Sequence, residues 1–400
     1  MLPILRRART VPSADRTPRE SPAPSSEQIP LARPELGERE ERLVLEVIRS
    51  GRLSLGPMLD RFERALATWL GVDDVVAVSS GTAALHLGVR ALKWGPGDEV
   101  LTTPLSFVAS ANCLLYEGAT PVFCDIDPKT LNIDPDAAAG AVGERTAGLL
   151  PVHIFGYPAA MARLEELAAK HGLGVLEDGC QALGAADSDG RRVGSRGNPC
   201  AFAFYANKQM TTGEGGALVP SDPGSATLVR SESNQGRAPD MGEMSHDRLG
   251  FNYRLTDIAA AIGVAQLERL DSLLAARGKV ASTYARALGE IEGIKLPYPD
   301  QPPERRSWFV YVVQLPEDAD RGAVIGTLAA QGIGAKPYLP CIHLYPHYRE
   351  RYGFRGGEFP VAERFARRAL ALPMYPAMTA GEIARVAGAL SAALSRPDPT

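Results

Sequence analysis

Lysine is scarce in this 400-residue chain: seven of its 43 basic residues are lysine and the remainder are arginine. Chemistry that needs a lysine amine therefore has few candidates. Cysteine is scarcer, with five residues (Cys113, Cys124, Cys180, Cys200, Cys341) that are odd in number and form no C-x-x-C. Neither a disulfide frame nor a zinc knuckle is indicated, and reduced structural thiols are expected. No stretch approaches the roughly 18 apolar residues that a membrane-spanning helix needs, and Met1 to Leu5, followed by Arg6 and Arg7, lacks a signal-peptide apolar segment. A cytoplasmic protein with no membrane partner is expected. Excess positive charge is missing too: 43 basic against 47 acidic residues give −4, which disfavours nucleic acid as a partner.

Several motifs are also missing. The chain has no G-x-G-x-x-G after a strand, no G-x-x-x-x-G-K-[ST], no G-x-S-x-G and no H-E-x-x-H, so dinucleotide, P-loop, serine-hydrolase and zincin readings lose their support. His343 and His347 are four residues apart, but Pro346 between them points to a loop, and no metal site is expected.

The chain that remains has an ordinary globular composition, 45% hydrophobic and 22% charged, and room for two or three domains at roughly 150 residues each. Residues 1–30 hold six prolines, five arginines and four serines without apolar periodicity, which reads as a disordered tail. Apolar residues at helical spacing predict helices over Glu38 to Arg49 and Met58 to Leu70.

From about 75 to 220, short apolar runs alternate with amphipathic helices. Strands are expected at Val75 to Val78, Glu99 to Thr102, Pro121 to Asp125, Thr146 to His153 and Gly174 to Glu177. Helices are expected at Thr82 to Leu92, Phe107 to Glu117 and Ala159 to His171. This alternation is the signature of a mostly parallel sheet with helices on both faces, an α/β domain placed at 31–270. A helix near Thr256 to Arg277, one strand at Trp308 to Gln314, then helices and proline-rich loops suggest a smaller α+β domain at 271–400.

Of the seven lysines, Lys208 has a distinctive setting. It follows the run Ala201-Phe202-Ala203-Phe204-Tyr205 and enters Thr211-Thr212-Gly213-Glu214-Gly215-Gly216. A desolvated amine beside a glycine-rich loop has a lowered pKa and room for a planar ligand, which is what Schiff-base formation needs. The plainer alternative is a buried lysine paired with Glu214. Thirty residues earlier a predicted strand ends in Glu177-Asp178-Gly179-Cys180-Gln181, where a carboxylate at the C-terminal end of a parallel strand could pair with a pyridinium nitrogen. The third element, Ser79-Ser80-Gly81-Thr82, feeds a helix whose first N–H groups and nearby hydroxyls could cradle a phosphate, or serve as an ordinary N-cap. Phosphate cradle, ring-nitrogen carboxylate and Schiff-base lysine in one α/β domain are what a pyridoxal 5'-phosphate (PLP) site needs.

Four blocks carry a family resemblance: Val78 to His86, Glu177-Asp178 through Gln181-Ala182, Asn207-Lys208 with Thr211 to Gly216, and Gly250-Phe251-Asn252-Tyr253-Arg254. Over Ile29 to about Tyr375 the chain resembles the DegT/DnrJ/StrS sugar-nucleotide aminotransferases, PLP enzymes of the fold-type I, aspartate-aminotransferase superfamily. The resemblance implies that Lys208 carries the cofactor and shuttles a proton, that Asp178 faces the ring nitrogen and Gln181 the ring hydroxyl, and that Phe107 stacks on the ring. It further implies that Gly81 and Thr82 bind the phosphate and that Asn252 reaches the cofactor phosphate of a neighbouring subunit, hence a homodimer with shared sites. Ile258, Ala261, Ile262 and Leu267 are candidate interface residues. Arg237 is a candidate anchor for the substrate diphosphate, and Arg254 is either functional or structural.

Two positions depart from the family pattern. Ala203 stands where many members have a phosphate-binding serine, and Ser233 where many have arginine. The expected reaction moves an amino group from an amino acid, glutamate by expectation, to a nucleotide-linked keto sugar, with a lean to 4-keto-6-deoxy sugars. Two further readings are a PLP-dependent sugar deoxygenase, against which the retained Lys208 argues because such relatives replace it with histidine, and a non-catalytic binding or regulatory protein.

Overall fold

The computed structural model describes residues 28–238 and 245–395. The tail expected over residues 1–30 lies outside the described residues except at its end, and there the structure differs. Ile29 is buried and its N–H donates to the Gly332 carbonyl at 2.9 Å, because its apolar side chain completes the core of the C-terminal part.

Eight strands build the large sheet: β1 (Val76–Val78), β2 (Glu99–Thr102), β3 (Thr120–Phe123), β4 (Thr146–Leu150), β5 (Gly174–Val175), β6 (Glu177–Asp178), β7 (Cys200–Ala203) and β8 (Gly216–Val219). The order β3-β2-β4-β5 is parallel throughout, as is β6 beside β7. A parallel bridge between Val152 and Asp178 carries the first group into the second. Strand β8 runs antiparallel to both β7 and β1. Neither β7 nor β8 was expected as a strand: the apolar run before Lys208 and the glycines after it conceal a strand–turn–strand unit with the lysine in its turn.

The helix Gly81–Ala91 starts against this unit, and its closeness requires glycines. A Cβ on Gly81 would lie 2.6 Å from Ala203 Cβ, and one on Gly216 would lie 2.4 Å from the Ser80 carbonyl carbon. The helix predicted near Thr256 to Arg277 is two, Asp257–Glu268 and Leu270–Leu288, separated at Arg269, whose side chain binds Glu35 and Glu40. Ala261 and Leu267, expected at an interface, are instead buried within this chain among Phe62, Leu66 and Leu70.

The C-terminal part contains three strands rather than one: β9 (Tyr311–Gln314), β10 (Lys336–Pro337) and β11 (Ala369–Leu372), antiparallel in the order β10-β11-β9. Helices Leu270–Leu288 and Ala380–Leu394 pack on them around Tyr284, Val313, Leu328 and Leu390. Pro346 does not mark a loop: it opens the helix Pro346–Tyr352, a first-turn position where its missing N–H costs nothing. His343 lies before that helix, buried, with Nε2 3.2 Å from Glu363 Oε1. The Glu363 oxygens also accept the Gly357 and Phe359 N–H groups, so this carboxylate holds a loop.

Because Gly216 touches backbone, Gly216→Ala should push the helix start off β8 and lower stability by about 1–3 kcal/mol in urea unfolding, the range for overpacking. An unchanged midpoint would show that the helix start yields freely.

Candidate active site

Asp178 ends β6 beneath the start of the helix Gly81–Ala91 and is 3% exposed. Its Oδ2 accepts from Ser110 Oγ at 2.6 Å and its Oδ1 from the Cys180 N–H at 3.0 Å. Since a carboxylate can only accept, Ser110 spends its proton there, and Ser106, 2.7 Å from Ser110, donates in turn. No cation lies within 4.0 Å of Asp178 among the described residues. Behind it, fully buried His153 accepts the Ala159 N–H on Nδ1 at 3.0 Å, so its proton sits on Nε2, 3.0 Å from Glu177.

Lys208 leaves the turn between β7 and β8, its N–H bonded to the Tyr205 carbonyl at 2.9 Å. Its ammonium nitrogen lies 4.4 Å from the centroid of the Phe309 ring. Burial pushes the amine below the ordinary lysine range, while Cys180 and Asp178 pull it the other way. Glu214 is exposed and makes no ion pair with Lys208 among the described residues, which removes the plainer reading of this lysine. The site thus holds a desolvated amine and a buried carboxylate that each lack an opposite charge in contact.

At the helix start, Ser80 accepts the Ala83 N–H on its side chain and the Ala84 N–H on its carbonyl. The Gly81 and Thr82 N–H groups find no acceptor among the described residues. Two free donors at the positive end of a helix form an anion seat. The Cβ that Gly81 lacks would also lie 2.9 Å from Cys180 Sγ, which places this seat beside Asp178. Burial raises the Cys180 thiol well above its ordinary range, so it stays protonated.

Gln181 is buried, and its Oε1 is occupied by the Phe155 N–H at 2.9 Å, which leaves its amide as a donor. Phe107 stands 60% exposed just before the helix Ala109–Tyr116. Asn207 Oδ1 is buried without a partner. Asn252 is exposed and bridges Asn234, while Arg254 bridges Val78 at the end of β1. Arg237 bridges His246, and its Nε is buried without a partner. Neither Arg237 nor Asn252 touches Lys208 or Asp178 among the described residues. Arg254 donates to Asn234 Oδ1 at 3.0 Å, a structural contact.

Ser110, Cys180 and Phe309 were missed by sequence reasoning. Ser106 and Ser110 are four apart at the start of a predicted helix, a spacing that could have placed both on one face. Phe309, a hundred residues beyond Lys208, gives no local signal. A half-buried chain, Tyr253 to His86 to Glu117 to Arg90 to Glu232, also ties the helix to the Gly250 to Arg254 block.

This fold, with a lysine and a buried aspartate brought to one edge of its sheet, is shared with a class of enzyme, the aminotransferases. The chain belongs to the DegT/DnrJ/EryC1/StrS aminotransferase family, whose model matches residues 34–391. It is 37% identical over 368 residues to the spore coat polysaccharide biosynthesis protein SpsC of Bacillus subtilis, covering 89% of this chain and 94% of that protein. It is also 37% identical over 371 residues to the GDP-perosamine synthase of Caulobacter vibrioides, covering 92% and 98%. Among solved structures it resembles DesV of S. venezuelae, with a TM-score of 0.84, 36% identity, and 90% and 95% of the two chains covered. The fold is therefore the fold type I transferase fold expected from the sequence. No helix among the described residues is long and apolar enough to cross a membrane.

Ser110→Ala removes a hydrogen bond to a buried carboxylate, so stability should fall by about 1.5–3 kcal/mol in urea unfolding, the range for bonds to charged groups. A loss below a few tenths would show that Asp178 does not depend on this hydroxyl.

Proposed function

We propose that the chain transfers an amino group from an amino acid, glutamate by preference, to a nucleotide-linked keto sugar, with PLP as cofactor. The observation that carries this reading is the pair formed by the desolvated Lys208 amine and buried Asp178, each without an opposite charge in contact, set beside an unsatisfied helix N-terminus. These residues fit the cofactor. Asp178 would face the ring nitrogen, Gln181 would donate its free amide to the ring oxygen, and the Gly81 and Thr82 N–H groups would hold the phosphate. Exposed Phe107 would lie against the ring. When bound, PLP supplies a carbon that accepts the amino group and a ring that withdraws electrons from the neighbouring carbon.

Lys208, with its amine pushed below the ordinary lysine range by burial, sheds its proton more readily than an ordinary lysine and can then take one from substrate carbon. Arg237, whose guanidinium carries an unpartnered Nε, would meet the substrate diphosphate. Asn252 is exposed and makes no hydrogen bond to Lys208 or Asp178 among the described residues, which leaves it open to serve the neighbouring site of a homodimer. Exposed Phe107, Tyr205 and Leu249 are apolar surface that such a partner would cover. The lean toward 4-keto-6-deoxy sugars rests on the resemblance of the Lys208 segment.

Incubation with glutamate and a panel of nucleotide keto sugars should release 2-oxoglutarate with at least one 4-keto-6-deoxy sugar. Release with 3-keto sugars or keto cyclitols alone would overturn the sugar class and leave the aminotransferase. Asp178→Asn should leave a folded protein whose turnover falls by a factor on the order of a hundred or more, since the electron sink loses its partner. Near-normal turnover would make the carboxylate structural. Mixing inactive Lys208→Ala with inactive Asn252→Ala protein should restore part of the activity through hybrid dimers. A fully active monomer would contradict shared sites.

A further inference from the structure

Arg277 lies in the middle of the helix Leu270–Leu288, where the chain passes from the core of the large sheet to that of the C-terminal part. It is 2% exposed, and no carboxylate lies within 4.0 Å of it among the described residues. A guanidinium buried with no counter-charge in contact is costly, and burial pushes it down to about 10 while Glu35 pulls it the other way, so it stays protonated at neutral pH. Its Nη2 donates to the carbonyl of Lys208 at 2.9 Å and its Nη1 to the carbonyl of Phe309 at 3.4 Å, while Nε has no partner. These two carbonyls belong to the residues whose side chains meet, with the Lys208 amine 4.4 Å from the Phe309 ring centroid. One planar fork therefore fixes the separation of the two backbones from which the amine and its aromatic floor project.

Gln209 joins the same segments a residue further on, donating to the Gln181 and Ser307 carbonyls at 2.7 and 3.1 Å. That link fastens the strands together without holding the lysine. Arg277 holds the lysine itself, on the carbonyl side, while the Tyr205 carbonyl holds it on the N–H side.

We propose that Arg277 is a positioning residue for amino transfer, which holds the Lys208 amine over the Phe309 ring by bonding both backbones at once. The proposal rests on the reading of Lys208 as the reacting amine. Arg277→Lys keeps the charge but offers no fork, so it separates positioning from simple charge repulsion.

The test reads the pH midpoint for modification of Lys208 by trinitrobenzenesulfonate in the full chain stripped of cofactor, and kcat and KM in the loaded enzyme. In Arg277→Met the midpoint should rise by about one pH unit or more as the amine leaves its desolvated place, and kcat should fall about tenfold or more with the donor KM within about twofold. Arg277→Lys should move both in the same direction, by at least about half as much on the pH scale. Phe309→Leu should lower kcat, and the double variant Arg277→Met with Phe309→Leu should lose no more than the worse single variant, since the two act through one arrangement.

A folded Arg277→Lys protein with the wild-type midpoint and kcat overturns the proposal, as does full additivity with Phe309→Leu. If Arg277→Met does not fold, Arg277→Lys decides by the same criteria. Irreversible uptake of PLP by Lys208→Ala after borohydride treatment would instead overturn the underlying reading of Lys208.

Discussion

A carboxylate and an amine that are both removed from water would ordinarily meet, because an opposite charge in contact is the cheapest compensation for lost hydration. Here Asp178 is compensated by hydroxyl and backbone donors and Lys208 by an aromatic face, and the two form no ion pair with each other among the described residues. On the proposed reading, the separation leaves both groups free to meet a bound cofactor. It is maintained by packing that leaves no slack: Gly81 against Ala203 and Cys180, Gly216 against the Ser80 carbonyl, and Arg277 across the Lys208 and Phe309 carbonyls.

The sheet explains why these groups converge. Parallel strands deliver their C-terminal ends to one edge, and β6 ends there in Asp178. The antiparallel β8 brings the chain back beside β7, so the turn between them carries Lys208 over the same edge. The helix Gly81–Ala91 leaves that edge from β1 and offers its free N–H groups there. A carboxylate, an amine and an anion seat thus come from three separate segments of the chain, around residues 81, 178 and 208, placed by a helix start, a strand end and a turn.

Much of this was legible in the sequence because the features are local. The scarcity of lysine isolated Lys208, the strand before Glu177-Asp178 gave the carboxylate its position, and the serine–glycine turn marked the helix start. What was not legible depends on distant contacts. The β7 and β8 strands hid behind glycines whose purpose is close approach to Ser80 and Gly81. Phe309 meets Lys208 with its ring from a hundred residues away, and Arg277 bonds the backbone carbonyls of both, which any residue type can supply, so no motif announces either. Ala261 and Leu267 looked like interface residues because an apolar helix face does not reveal whether its cover is the same chain or another. Pro346 read as a loop because a proline breaks a helix interior, although it also opens one.

The central claim is that Lys208 is the amine that carries the cofactor. Borohydride reduction of the PLP-loaded protein, followed by peptide mapping, tests it directly. The account predicts a single labelled peptide containing Lys208, and a label on any of the other six lysines would contradict it.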